Sequence, residues 1–177
     1  MTDEVKKEIK ELIKKCHLNC SIEEFQNKVS WNYISIFQKL SEDFIRKFQN
    51  KVGWIGVSTN QILSEDFIRE FQDKVYWDHI SGWQKLSEDF IREFQDKVSW
   101  NCISSNQKLS EDFIREFQDK VEWSNISYYQ TLSEDFIKEF KNKLDLKYLL
   151  RNKKISKSGY DSLIYEKVSR FELMDIL

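Results

Sequence analysis

The sequence contains no proline and only four glycines in 177 residues, where average usage would place roughly nine and twelve. A chain so poor in helix breakers, and rich in Lys, Glu, Ile, Leu and Phe, reads as all-helical. Long apolar runs are missing too; no stretch approaches the roughly 20 residues that a membrane-spanning helix needs. The N-terminal segment has no apolar signal-peptide core, which points to an intracellular, cytoplasmic protein. Cysteine is scarce: Cys16, Cys20 and Cys102 are an odd count that builds no disulfide framework, so free thiols are expected. Cys16-His17-x-x-Cys20 offers three metal ligands, but a structural zinc takes four and no second Cys/His pair completes the tetrahedron. No metal or other cofactor is expected. Nor is there a Gly-rich phosphate loop or a nucleophile elbow, and the two histidines, His17 and His79, fall in different parts of the chain. The chain reads as non-enzymatic.

Charged residues make up 33% and hydrophobic ones 40%, enough to bury a core and unlike a disordered chain. The net charge of −2 is unevenly spread. Residues 1–20 carry five basic and four acidic side chains, residues 21–140 carry 14 and 21, and residues 141–177 carry nine and five. An acidic body with a basic end is a poor start for a surface that tracks phosphates.

What the chain does have is a tandem repeat. Trp31, Trp54, Trp77, Trp100 and Trp123 follow one another at intervals of 23 residues, a period that signals a solenoid. Residues 1–16 read as an amphipathic capping helix, with Thr2 as N-cap and Val5, Ile9, Leu12, Ile13 and Cys16 on one stripe. Repeats occupy 17–39, 40–62, 63–85, 86–108 and 109–131, with a degenerate sixth at 132–154, where Leu146 and Lys153 replace the recurring Trp and Gln. Residues 155–177 close the array as a basic loop and a C-terminal capping helix from about 162 to 176, since end repeats otherwise expose a core face.

Within 63–85, Ser64-Glu65-Asp66 is an N-cap followed by first-turn acids. Phe67, Ile68, Phe71 and Val75 share one face of a first helix, and Glu65, Arg69, Asp73 and Glu70 share the other. This helix is expected to run about eleven residues, followed by a two-residue corner, a second helix of about eight, and an immediate restart. The second helix opens at Trp77, with residue 76 as its cap. Trp77, Ile80, Ser81 and Gln84 recur in nearly every unit and take the buried face, with Trp at its centre. The recurring Gln, as a buried amide, needs partners in the backbone or a neighbouring repeat. The recurring Ser is small enough for close helix approach, and no base lies near it in any repeat to make it a nucleophile. Gly53, Gly56 and Val57 are expected to weaken the second helix of unit 40–62. The repeated Glu-Asp pairs invite an acid/base reading, but their place at helix starts accounts for them as dipole and capping residues.

The opposite face of the second helix varies from unit to unit and is rich in Tyr, Phe, Trp and Asn, with almost no charge. That is the composition of a protein–protein contact. The candidate partner-binding residues are Tyr33, Phe37, Asn60, Asp78, His79, Trp83, Asn106, Asn125, Tyr128 and Tyr129. Drift at exposed positions after duplication would leave more Lys and Glu there.

The motif Leu-Ser-Glu-Asp-Phe-Ile-Arg-Glu-Phe-Gln-Asp-Lys-Val-x-Trp-x-x-Ile-Ser-x-x-Gln-Lys, seen at 63–85, 86–108 and largely 109–131, resembles 23-residue tandem repeats in proteins of giant DNA viruses and some phage-like genomes. The resemblance covers about residues 17–154 and implies a viral protein at work in host cytoplasm; it carries no assigned chemistry. The expectation is therefore an all-α solenoid of stacked short hairpins that binds a protein, with a host factor as a natural partner. The alternatives are a nucleic-acid or nucleotide binder using Lys143, Lys147, Arg151, Lys153, Lys154 and Lys157, or a structural, self-assembling repeat protein.

Overall fold

The computed structural model describes residues 1–151 and 158–159. Among the described residues every regular element is a helix, and the helices follow the 23-residue period; the fold is an all-α helical-repeat solenoid. They group into two compact units, Met1–Val98 and Ser99–Leu177. The first holds α1 (Asp3–Lys15), a single turn α2 (Phe25–Lys28), α3 (Trp31–Phe37), α4 (Glu42–Lys47), α5 (Trp54–Asn60), α6 (Glu65–Glu70), α7 (Trp77–Trp83) and α8 (Glu88–Glu93). The second holds α9 (Trp100–Asn106), α10 (Glu111–Glu116), α11 (Trp123–Tyr129), α12 (Glu134–Glu139) and α13 (Leu146–Arg151). From α3 onward, Trp-initiated helices (Leu-initiated in α13) alternate with Glu-initiated ones.

The Glu-initiated helices form for the expected reason. Ser64 Oγ accepts the Phe67 amide at 3.1 Å, and Ser41, Ser87, Ser110 and Ser133 do the same in their repeats. They are shorter than expected, six residues in α6, because Phe71 leaves helical geometry at φ −112°, ψ 27°. The Lys74 and Val75 amides then both donate to the Phe71 carbonyl, at 2.8 and 3.1 Å, and close a tight turn. That turn buries Phe71 and aims the Gln72 carbonyl at the Trp77 indole N–H, 3.0 Å away. Periodicity alone reads straight through this turn, since its residues keep the apolar spacing of a helix.

The Trp-initiated helices correct a second expectation. None draws a side-chain cap from its own N-cap residue. The Tyr76 amide instead donates to Ser58 Oγ in the preceding repeat at 3.0 Å, and Gly53 uses Ser35 likewise. In the second unit the Glu122 amide uses Ser104 and the Asp145 amide uses Ser127, each at 2.9 Å. The recurring serine is thus a capping group for its neighbour, as well as a small spacer.

There is no immediate restart after these helices either. Gln61 and Gln84 adopt extended backbone and open a short link, and the link is held by the glutamine of the next repeat. Gln61 Oε1 accepts the Leu40 amide at 2.8 Å, while its Nε2 donates to the carbonyls of Ser35 and Gln38, both at 2.8 Å. Gln84 and Gln130 repeat the arrangement one and three repeats on. The buried amides therefore find their partners in the neighbouring repeat's backbone, as expected.

The five recurring tryptophans are half-buried, not central to the core; the fully buried positions belong to Phe44, Phe67, Phe90, Phe113 and Phe136 and to the Ile that follows each. With Gly53 at its N-cap and Gly56 within it, α5 still spans the seven residues of α3 and α7. A Cβ on Gly56 would stand 2.9 Å from Ile36 Cγ1 and 3.1 Å from the Ser35 carbonyl carbon, so the missing side chain lets α5 lie close on α3.

At the start of the chain, Val5, Ile9 and Leu12 of α1 are buried. Glu8 accepts the Ser41 amide at 3.0 Å, the place that Glu42 and Glu65 take over Ser64 and Ser87. α1 ends where His17 turns to φ 51°, with the Leu18 amide on the Ile13 carbonyl and the His17 amide on that of Lys14, a Schellman stop. In the degenerate sixth repeat α12 and α13 both form, with Leu146 buried in the Trp register. The expected helix over 162–176 and the basic loop at 152–157 lie outside the described residues.

Candidate functional site

Which side chains are available for function depends on which ones the stack already uses. Arg69 donates through Nε to Glu93 of the next repeat at 2.8 Å and through Nη1 to Asp66 at 2.9 Å. Its guanidinium lies 5.0 Å from the centre of the Phe90 ring. Arg46 and Arg115 repeat this with Glu70 and Phe67, and with Glu139 and Phe136. Hydrogen bonds to those glutamates lift all three arginines above their usual pKa. The glutamate of the Glu-Asp pair acts across repeats: Glu65 accepts the Ser87 amide at 2.6 Å and Glu111 the Ser133 amide at 2.5 Å. Of the acids that invited a catalytic reading, the glutamates link repeats and the aspartates hold the arginine of their own helix.

Lysine and tryptophan form another such link. Lys74 reaches Gln49 Oε1 at 2.6 Å with its ammonium 5.8 Å from the Trp54 ring centre, and Lys143 does the same with Gln118 and Trp123. Trp54, Trp77, Trp100 and Trp123 thus each have the Phe of the following repeat on one side and a Lys at the ring (Trp54 stands 5.1 Å from Phe71). Among the described residues no buried side-chain polar atom lacks a hydrogen-bond partner.

The varying positions stand apart from this network. In the first unit, Tyr33 and Phe37 lie on α3, Asn60 on α5, and Asp78, His79 and Trp83 on α7. All are exposed except His79, which is half-buried with its ring 6.1 Å from Tyr76. Trp83 keeps 70% of its surface and Phe37 keeps 68%. Consecutive packing of α3, α5 and α7 brings these residues onto one surface, where Asn32, Ile36, Trp54, Ile55 and Tyr76 with Gly53 and Gly56 frame an open groove of about 410 Å³. Ile55 and Tyr76 are exposed members of this surface that the candidate list omits. Position 76 reads from sequence as a helix cap, and Ile55 carries no aromatic signature to mark it.

In the second unit Asn106 is exposed on α9, and Asn125, Tyr128 and Tyr129 lie on α11. Tyr128 meets Tyr129 at 4.6 Å between ring centres and Tyr148 of α13 at 5.6 Å, both edge-on. Tyr148 was legible only by extending the register through Leu146. Asn125 is drawn into the stack, its Nδ2 donating to the Asn101 carbonyl at 3.1 Å.

Of the basic residues considered for nucleic acid, Lys143 is taken up at Trp123, Lys147 and Arg151 are exposed on α13, and Lys153, Lys154 and Lys157 lie outside the described residues. No three His, Cys, Asp or Glu side chains among the described residues are grouped to hold a metal. Burial pushes the Cys16 thiol above its ordinary pKa, away from the thiolate a metal binds. No described helix is long and apolar enough to cross a membrane. A scan against protein-family models, a search of curated proteins and a search of solved structures each returned no match.

Proposed function

We propose that this chain is a non-enzymatic helical-repeat binding module that engages protein through the varying faces of its Trp-initiated helices. The observation that carries the reading is a division of labour. Recurring polar and aromatic side chains are engaged between repeats, whereas Phe37, Trp83 and Tyr129 stand more than half exposed at varying positions. Large exposed aromatics clustered on one surface are what anchor protein interfaces. The resemblance to viral repeats makes a host cytoplasmic protein the partner to look for.

The test is affinity capture from the producing cell with the intact chain and two variants, Phe37→Ser/Trp83→Ser and Tyr128→Ser/Tyr129→Ser. At least one variant is expected to lose a protein that the parent recovers, with its helical circular dichroism unchanged. Recovery of the same proteins by all three would overturn the reading.

A further inference from the structure

The surface on α3, α5 and α7 has features that select one occupant. Tyr33, Phe37, Tyr76 and Trp83 keep between 46 and 70% of their surface. At about 200 Å² per aromatic side chain they expose roughly 450 Å², and Ile36 and Ile55 add to it. A monomer's largest apolar patch is about 300–600 Å², so this face stands at the upper limit. A standard interface covers about 800 Å² per partner, and homodimer contacts are about 65% apolar, which calls for roughly 500 Å² of apolar surface. The match is close. Charge does not oppose self-contact either, because Asp78 is the one charged residue at the varying positions of these three helices and the whole chain carries only −2.

Symmetry sharpens the choice. Phe37, Asn60 and Trp83 occupy the same register in α3, α5 and α7, so they form a row with Asn60 in the middle. A two-fold axis through Asn60 would bring Phe37 of one protomer against Trp83 of its partner, twice. On the axis a side chain meets its own copy, and an Asn amide, with donor and acceptor together, is complementary to itself. We propose that a second copy of this chain covers the face formed by α3, α5 and α7, giving a two-fold dimer. The proposal rests on the reading of the varying faces as protein-binding, and it assigns no role in the dimer to Tyr128 or Tyr129 of the second unit.

The full chain, examined by sedimentation equilibrium across micromolar concentrations, is expected to pass from 21.5 kDa to about 43 kDa, twice its own mass, and no further. Trp83→Ser, and separately Asn60→Asp, which sets two carboxylates on the axis, should each raise the dissociation constant by about ten-fold or more. Tyr129→Ser should leave it unchanged. A chain that stays monomeric overturns the dimer, as does a dimer indifferent to both substitutions or a mass that climbs without limit. None of these outcomes bears on the capture experiment, in which a protein lost only from the Tyr128/Tyr129 variant would still uphold binding by the second unit.

Discussion

At the scale of single residues, the conserving force within this chain is hydrogen-bond demand at the junctions between repeats. The link after each Trp-initiated helix is extended, so its backbone groups have no partner in their own helix. One glutamine amide meets three of those groups at once: Gln61 serves Leu40 N, Ser35 O and Gln38 O. No other side chain of that length has an acceptor and two donors in one plane. Truncation to alanine strands buried backbone groups at about 1–3 kcal/mol each, and water entering the space offsets part of that. Gln61→Ala should therefore cost roughly 2–4 kcal/mol in urea unfolding, whereas Lys85→Ala, on an exposed side chain, should stay within about 0.5 kcal/mol. Equal effects from the two would show that the glutamine is not what holds the link. His17 answers a different local demand. It sits in left-handed geometry to end α1, which leaves Cys16-His17-x-x-Cys20 a helix stop with an unremarkable structural role.

At the scale of elements, helices of six and seven residues are far below the roughly 12–15 at which an isolated helix becomes marginal in water. They exist here because each is capped and braced from the adjacent repeat: Ser58 caps α7, Glu65 caps the start of α8, and Arg69 bridges α6 to α8. A peptide of residues 63–85 alone has lost those partners and should show a coil-like circular dichroism spectrum without an alcohol co-solvent. A helical spectrum in water would mean that local propensity, not stacking, forms the elements. The same dependence explains what could be read from the sequence. Element type, repeat register and the burial of Phe67, Ile68, Ile80 and Gln84 follow from periodicity and capping chemistry inside 23 residues. The early end of α6 at Phe71 does not, because the turn that follows keeps the apolar spacing of a helix; nor does the capping of α7 by Ser58, which is supplied from a repeat away. Trp77 was misplaced at the centre of the core for a related reason: its ring packs on Phe94 of the following repeat at 5.0 Å and its indole N–H returns to Gln72, so its place is the seam.

At the scale of the whole molecule, the positions that hold the stack and the positions proposed for recognition are largely separate sets. Repetition fixes the first set, because every junction makes the same demands, and leaves most of the second to vary; Asn125 and Gly56, which serve a junction, are the exceptions. Stability in such arrays is close to a sum of repeat and junction contributions, so substitutions confined to the faces should scarcely register. Phe37, Trp83 and Tyr129 lie in three different helices and are each more than half exposed. Changing all three to serine should cost less than about 1.5 kcal/mol in total, at the surface value of about 0.5 kcal/mol each and with near-additivity. That is less than the single Gln61→Ala change. Because self-association would itself add apparent stability to the parent chain, the comparison belongs at the lowest chain concentration that gives a signal. A loss from the triple variant that matches Gln61→Ala under those conditions would mean the aromatics are part of the packing, and the division between the two sets of positions would fall.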